Sequence, residues 1–290
     1  MSADVAIDKR EVKRSFERAA ATYDAAAILQ HEVCNRMLER LDYVKVAPAA
    51  ILDAGTGTGN AIPGLMSRFP GTTVVALDIA LAMLERARGR LKWWQSVPGL
   101  RPPLHAVAAD VERLPLADES VGLVWSNLAL QWVNDLPATL KEMHRVLAPG
   151  GLLMFSTFGP DTLKELRDAY RDVDSRTHVS RFVDMHDIGD MLVHGGLADP
   201  VMDMEPFTLT YDDVRALMRD LKAIGAHNAT TGRPDALTAK STLKRVAANY
   251  ERLRSEGRLP ATFEVVYGHA WKPLPRVGPT GKRVIEIKGV

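Results

Sequence analysis

Apolar residues recur along this 290-residue chain in two alternating rhythms. Short apolar runs bounded by polar residues predict five strands, at Ala49–Asp53, Thr73–Asp78, Leu104–Asp110, Val121–Asn127 and Leu152–Thr157. Between them the apolar spacing lengthens to three and four. It predicts helices over Asn60–Phe69 (Ile62, Leu65, Met66, Phe69), Leu81–Trp93 and Asp135–Leu147 (Leu136, Leu140, Met143, Val146), the last stopped by Pro149-Gly150-Gly151. Gln95–Pro103 reads as a loop. Strands alternating with helices at this pitch imply an α/β domain around a mostly parallel sheet, with helices on both faces and right-handed crossovers.

The two ends of the chain break this rhythm. Asp8–Leu41 carries a helical stripe (Val12, Phe16, Ala19, Ala20, Tyr23), which Thr22-Tyr23-Asp24 divides into two helices. After Phe158, helices are predicted at Asp161–Val173, Met185–His194, Asp212–Ile224 and Thr238–Arg254, with strands near Met202–Thr210 and Thr262–Trp271. The chain thus divides into an N-terminal helical segment (1–48), a strand-helix core (49–158), closing strands with an inserted helical cap (159–272) and a tail (273–290) in which Arg283–Ile287 could pair as an edge strand. No internal repeat or low-complexity segment is present.

Composition narrows the classes. Hydrophobic and charged contents of 46% and 25% are those of a globular protein, and the formal net charge of +1 gives no general attraction to nucleic acid or an acidic membrane. No run of about 18 apolar residues is present, and MSADVAIDKREVKRSF is too charged for a signal peptide, so a cytoplasmic location is expected. The single cysteine, Cys34, excludes internal disulfides and reads as buried and inert. The eight histidines form no metal-ligand spacing.

The candidate chemistry gathers where strands end. After Asp53 come Gly55, Gly57 and Gly59 in the order G-x-G-x-G, while the position where a dinucleotide fingerprint needs its third glycine holds Asn60. Such a turn lets backbone N–H groups approach a polar ligand. Asp78 ends the second strand 19 residues after Gly59, where a carboxylate can accept from both hydroxyls of an adenosine ribose. Asp110 ends the third strand, where it can accept from an exocyclic adenine amine with Val111 behind the ring, or cap a turn. Asn127 ends the fourth, followed by Gln131 and Trp132. Open α/β sheets bind ligands at this edge.

Over LDAGTGTGN, ALDIALAML, ADVERLPLADESVGLVWSNLALQW and LAPGGLLMFSTFGPDTLKELR the chain resembles the class I S-adenosylmethionine-dependent methyltransferases. KRSFERAAATYDAAAILQHEV, RFVDMHDIGDML, MRDLKAIGAHN and LPATFEVVYGHAWKP resemble, within that class, the malonyl-acyl-carrier-protein O-methyltransferase family of biotin synthesis. The resemblance spans nearly the whole chain. A mitochondrial complex I assembly factor, an arginine hydroxylase on the same fold, shares much of the C-terminal pattern. A scaffold that binds the cofactor without turnover is a third reading, against which the intact turn and three carboxylates count.

The resemblance implies a Rossmann-like sheet whose 49–158 core binds S-adenosylmethionine, with the N-terminal helices covering the active site. Asp53, Gly55, Thr56, Gly57 and Gly59 would hold the methionine end, Asp78, Ile79 and Met83 the ribose side, Asp110-Val111 the adenine, and Asn127 would face the sulfonium. The acceptor would be the carboxylate of malonyl on acyl carrier protein, or of malonyl-CoA. A carboxylate is ionised at pH 7 and needs no general base, only positioning. An arginine fork is the natural device to orient it, with Arg181 the first choice and Arg167 the second, although a solvated surface residue is the commoner role for either. Tyr23 could close over the methyl site or anchor its helix, and Trp132 could wall the pocket, as could Trp93-Trp94. Basic residues along Lys240–Arg258 are a candidate face for an acidic carrier, or simply a solvated helix.

Overall fold

The computed structural model describes residues 6–90, 104–174, 177–226, 229–231 and 240–275. The strands are β1 (Ala50–Ala54), β2 (Thr73–Asp78), β3 (Leu104–Ala108), β4 (Val121–Asn127), β5 (Leu147–Phe158), β6 (Ala198–Tyr211) and β7 (Leu259–Trp271). They form one sheet in the order β3-β2-β1-β4-β5-β7-β6. The first five are parallel, and β7 runs antiparallel between β5 and β6. This is the mostly parallel α/β sheet that the alternating pattern implies. Order reverses at β1, so the carboxyl ends of β1 and β4 open a crevice there.

The helices are α1 (Lys9–Ala19), α2 (Tyr23–Ala26), α3 (Ile28–Leu41), α4 (Ile62–Arg68), α5 (Leu81–Arg88), α6 (Leu136–Val146), α7 (Lys164–Tyr170), α8 (Met185–His194), α9 (Val214–Ala223) and α10 (Lys240–Glu251). Because side chains alternate across a strand, the central strands feed two cores. Ile51, Leu123, Trp125 and Leu152 join α3, α4, α7, α9 and α10 on one face. Leu52, Val124, Leu153 and Phe155 join α6 and α8 on the other. The α3 stripe is Leu29, Val33, Cys34, Met37 and Leu41, all buried, so Cys34 lies in the core and its thiol is pushed up to about 12 by burial.

Several boundaries differ from the sequence expectation for identifiable reasons. The N-terminal segment is three helices, because Ala27 (ψ 42°) leaves the helical region between α2 and α3. The helix before Pro149-Gly150-Gly151 stops at Val146 as expected, but β5 begins at once and takes in this tripeptide, since Gly150 N–H donates to Lys272 O (2.8 Å) and Gly151 O accepts from Lys272 N–H (2.9 Å). The sixth strand begins at Ala198, ahead of the expected Met202, through a register shift between Ala198 and Val201. It lies on the edge, which is where Pro206 can be tolerated. A left-handed Leu163 (φ 54°) delays the start of α7 to Lys164. The expectations for Trp93-Trp94, the Gln95–Pro103 loop and the Arg283–Ile287 strand fall outside the described residues. No helix among the described residues is long and apolar enough to cross a membrane.

Docking of α3 on the sheet is expected to carry much of the stability of this half. Met37→Ala removes a fully buried side chain and should lower the unfolding free energy by about 2–5 kcal/mol in a urea titration. A loss below about 1 kcal/mol would show that the helix is not packed there.

Candidate functional site

The glycine turn after β1 is fastened to the neighbouring strand, with Gly55 N–H and Thr56 N–H both donating to Leu77 O (2.8 and 2.9 Å). Its three glycines all have positive φ, but their surroundings differ. A Cβ on Gly55 would fall 2.3 Å from Ala129 Cβ, and one on Gly59 would strike Ala87 and Ile62. Those two glycines allow close packing. A Cβ on Gly57 (φ 56°) would meet nothing within 4 Å, because that residue borders open cavity.

Three neighbouring spaces that share lining residues lie along this edge. The first, about 600 Å³, is lined by Gly55, Gly57, Asp78, Ile79, Met83, Asp110, Val111 and Asn127, together with α1 and α2 residues. A second of about 360 Å³ holds Asp53, Thr56, Gly57, Asn60, Gln30 and His31. A third of about 810 Å³ is walled by Phe158, Leu163, Leu166, Phe182, Leu221 and Phe263. Phe16, Tyr23, Leu128 and Trp132 line both the first and the third, so they stand between them. Phe16 packs edge-to-face on Trp132 at 5.4 Å and on Tyr23 at 6.5 Å.

The electrostatics of the first two spaces are set by two buried carboxyls. Asp53 accepts from Thr56 Oγ1 (2.6 Å), yet burial pushes it up to about 7, helped by the Asp78 carboxylate. Asp78 accepts from Gly57 N–H and Ala80 N–H (both 2.9 Å), and burial still raises it to about 6. Tyr23 is held above its ordinary range by burial, then by Asp78 and Asp24, so its hydroxyl stays protonated. His31 Nε2 is buried with no hydrogen-bond partner in the second space.

Of the predicted site residues, the structure gathers Asp53, Gly55, Thr56, Gly57, Asp78, Ile79, Met83, Asp110, Val111, Asn127, Tyr23 and Trp132 along these spaces. Gly59 lines none of them and serves packing. Asn127 is oriented by its neighbours: its Nδ2 donates to Gln30 O (3.0 Å) and its Oδ1 accepts from Ser156 Oγ (2.9 Å). Arg181 is exposed and lines two outer cavities instead of the 810 Å³ space. Arg167 donates to Pro160 O and Thr162 O (3.0 and 2.9 Å), where it fastens the loop before α7. Neither arginine of the expected fork therefore lines the third space: Arg167 is engaged by backbone carbonyls, and Arg181 lines a neighbouring cavity that shares Phe158, Ser180 and Phe182 with it.

Residues missed by sequence reasoning join the site through the N-terminal helices. Lys9 Nζ reaches Asp110 (3.0 Å) and Glu112 (3.2 Å), tying α1 to the end of β3. Asp24 accepts from Thr58 Oγ1 and from Arg90 (2.7 Å), tying α2 to the glycine turn. Leu128 turns left-handed (φ 48°), with its N–H on Ser156. His178 enters the third space with Nε2 on Asp174 (2.7 Å) and its ring stacked on Tyr170 at 3.7 Å. No sequence spacing marks the partners of Lys9, Asp24 and Leu128, which lie far away along the chain, whereas His178 pairs with Asp174 only four residues before it. No group of three or more His, Cys, Asp or Glu among the described residues is placed to hold a metal.

Comparison with known proteins agrees with this geometry. Residues 52–155 match the family described as a methyltransferase domain. A malonyl-(acyl-carrier protein) O-methyltransferase from Gallionella capsiferriformans is 59% identical over 97% of this chain and 96% of its own length. One from Methylovorus is 57% identical over 99% and 98%. Among solved structures, the YcgJ protein of Bacillus subtilis shares the fold with a TM-score of 0.58 at 15% identity, covering 84% of this chain and 99% of that one.

The two raised carboxyls make ligand-free stability depend on pH. Each binds its proton more tightly folded than unfolded, so its stabilising contribution is present below about pH 4 and is lost as pH rises towards 6 and 7. Asp78→Asn should therefore gain stability relative to the unaltered protein between pH 4 and 8, on the order of 3 kcal/mol. Parallel denaturant titrations across that range check it; a constant difference would mean that Asp78 is not raised.

Proposed function

The chain belongs to the malonyl-acyl-carrier-protein O-methyltransferase family, and we propose that it esterifies the free carboxylate of malonyl held on acyl carrier protein, using S-adenosylmethionine. The single observation that carries this reading is the pairing of a carboxylate-lined space with a larger apolar one across a shared aromatic wall. On this reading the product is the malonyl methyl ester of early biotin synthesis, in which the capped charge lets a chain-elongating pocket accept the acyl group. The relatives' names favour this over arginine hydroxylation or a scaffold without turnover.

The residues present fit the cofactor. Asp78 offers acceptors for two ribose hydroxyls beside Ile79 and Met83, and Asp110-Val111 offers an acceptor and an apolar face for adenine. Gly57 leaves open the space that a backbone-hugging ligand needs, while Asp53 and His31, whose Nε2 makes no hydrogen bond, line the space for the methionine end. Bound S-adenosylmethionine supplies an electrophilic methyl on a cationic sulfur with a neutral leaving group. Its positive charge in turn favours the ionised forms of Asp53 and Asp78.

The chain's own task is positioning. A malonyl carboxylate is ionised at neutral pH and already nucleophilic, so no base has to remove a proton. Holding it in line and excluding water can contribute about 7–11 kcal/mol of the barrier reduction. Phe16, Leu128 and Trp132 form the dry wall, and the protonated Tyr23 hydroxyl is the donor placed between the two spaces. Among the described residues no arginine lines the acceptor space, so Tyr23 takes the orienting role first assigned to Arg181.

Incubating the protein with S-adenosylmethionine and malonyl-acyl carrier protein should add the mass of one methylene to the carrier. An unchanged mass, or an added oxygen on a protein arginine, would defeat the reading. Asp78→Ala should weaken cofactor binding about 10–100-fold by calorimetry, the worth of a charged hydrogen bond. Tyr23→Phe should lower kcat/KM for the malonyl substrate about tenfold or more with little change in cofactor affinity. Equal losses in both would make Tyr23 a structural anchor only.

A further inference from the structure

The helices that wall the acceptor space carry an unusual outer surface. Helix α1 contributes Phe16 to that space, and α9 with the residue after it contributes Leu221 and Ile224. The two are joined: Thr22 Oγ1 donates to Ala223 O (3.4 Å), and a Cβ on Gly225 would lie 3.1 Å from the Phe16 ring. Every exposed residue of α1 is cationic, namely Arg10, Lys13, Arg14 and Arg18. The same holds for α9, whose exposed residues are Arg215, Arg219 and Lys222.

The acids on these helices are engaged locally. Glu11 pairs with Arg14 and Arg18 (3.4 and 3.2 Å), and Glu17 accepts from Leu81 N–H and Ala82 N–H at the start of α5. Asp220 accepts from the Tyr211 hydroxyl (2.8 Å). Arg10, Lys13, Arg215, Arg219 and Lys222 make no ion pair among the described residues. The net charge of the chain is only +1, so this concentration is local. The α10 region differs. Arg245 donates to Asp172 O, Arg254 pairs with Glu251, and Arg258 pairs with Asp212, so much of the basic Lys240–Arg258 stretch is tied into its own surroundings.

From this placement we infer that the paired outer faces of α1 and α9 are the docking surface for the acidic acyl carrier protein, which presents its malonyl arm to the space between them. The inference rests on the proposed reaction and names the surface that delivers its substrate. A carrier holds its acyl group on a long flexible arm, so it must seat close to the acceptor space, which α1 and α9 both border. Complementary charge there raises the encounter rate and orients the partner, and both effects weaken with salt.

The test uses the full chain and two double reversals, Arg10→Glu with Lys13→Glu and Arg215→Glu with Arg219→Glu, with Lys244→Glu on α10 as comparator. For each, KM is measured with malonyl-acyl carrier protein and with malonyl-CoA, and carrier binding is followed separately by fluorescence anisotropy. Each double reversal should raise the carrier Kd and KM about tenfold or more, flatten their dependence on salt, and leave malonyl-CoA kinetics unchanged. Lys244→Glu should change neither. Carrier binding that both reversals leave intact overturns the surface, as do equal losses with the two substrates or tighter binding to anionic vesicles or duplex DNA than to the carrier. Absence of methylation combined with reversal-sensitive carrier binding would sink the proposed reaction while upholding the surface.

Discussion

Two carboxyl groups buried side by side at the ends of adjacent parallel strands are the constraint from which the site follows. Asp53 and Asp78 are each under one-tenth exposed, and neither has a cationic partner among its hydrogen bonds. Backbone N–H groups and one hydroxyl compensate them only in part, so both are pushed towards neutral pH. An arrangement that costs stability in the free protein is retained when the missing positive charge or hydrogen-bond donors arrive with a ligand. The glycine turn serves the same end. Two of its glycines let Ala129 and α5 close in, and the third keeps the approach to Asp78 open.

Around that edge the N-terminal helices complete the enclosure by charge and by shape. Lys9 on Asp110 and Arg90 on Asp24 are cross-links between segments far apart in sequence; the first lines the space beside Asp78, and the second holds α2 to Thr58 of the glycine turn. The aromatic group of Phe16, Tyr23 and Trp132 then sits where the two larger spaces meet. A wall built from α1, α2 and the turn after β4 can hold one ligand on each side while keeping water from the junction. The partly buried ion pairs that anchor it are modest individually, so their value lies in fixing the position of the wall.

The fold as a whole was legible because the chain is locally consistent. Runs such as TVVALD and VGLVWSN are apolar throughout because parallel strands are buried on both faces, and their bounds agree with β2 and β4. Edges were harder to read: β6 alternates, carries Pro206 and includes Asp199-Pro200 near its start, where the register shifts, all of which imitate a turn. Residues at strand ends, Asp53, Asp78, Asp110 and Asn127, could be found because a parallel sheet brings its carboxyl ends to one side whatever the loops do.

Sequence alone therefore determined the sheet, the glycine turn and the acids that meet at its edge, since each depends on neighbours within a few residues or on strand polarity. Tertiary structure decided which side chains line the third space. Arg167 looked available until two backbone carbonyls claimed its guanidinium, and Arg181 until the structure placed it on the neighbouring cavity. Phe16, Leu128 and His178 were unremarkable as letters and border that space only because α1, the end of β4 and the segment before α8 converge there. Hydrogen-bond partners at sequence separations near a hundred, such as Lys9 with Asp110, follow from packing in three dimensions, and no local pattern encodes them.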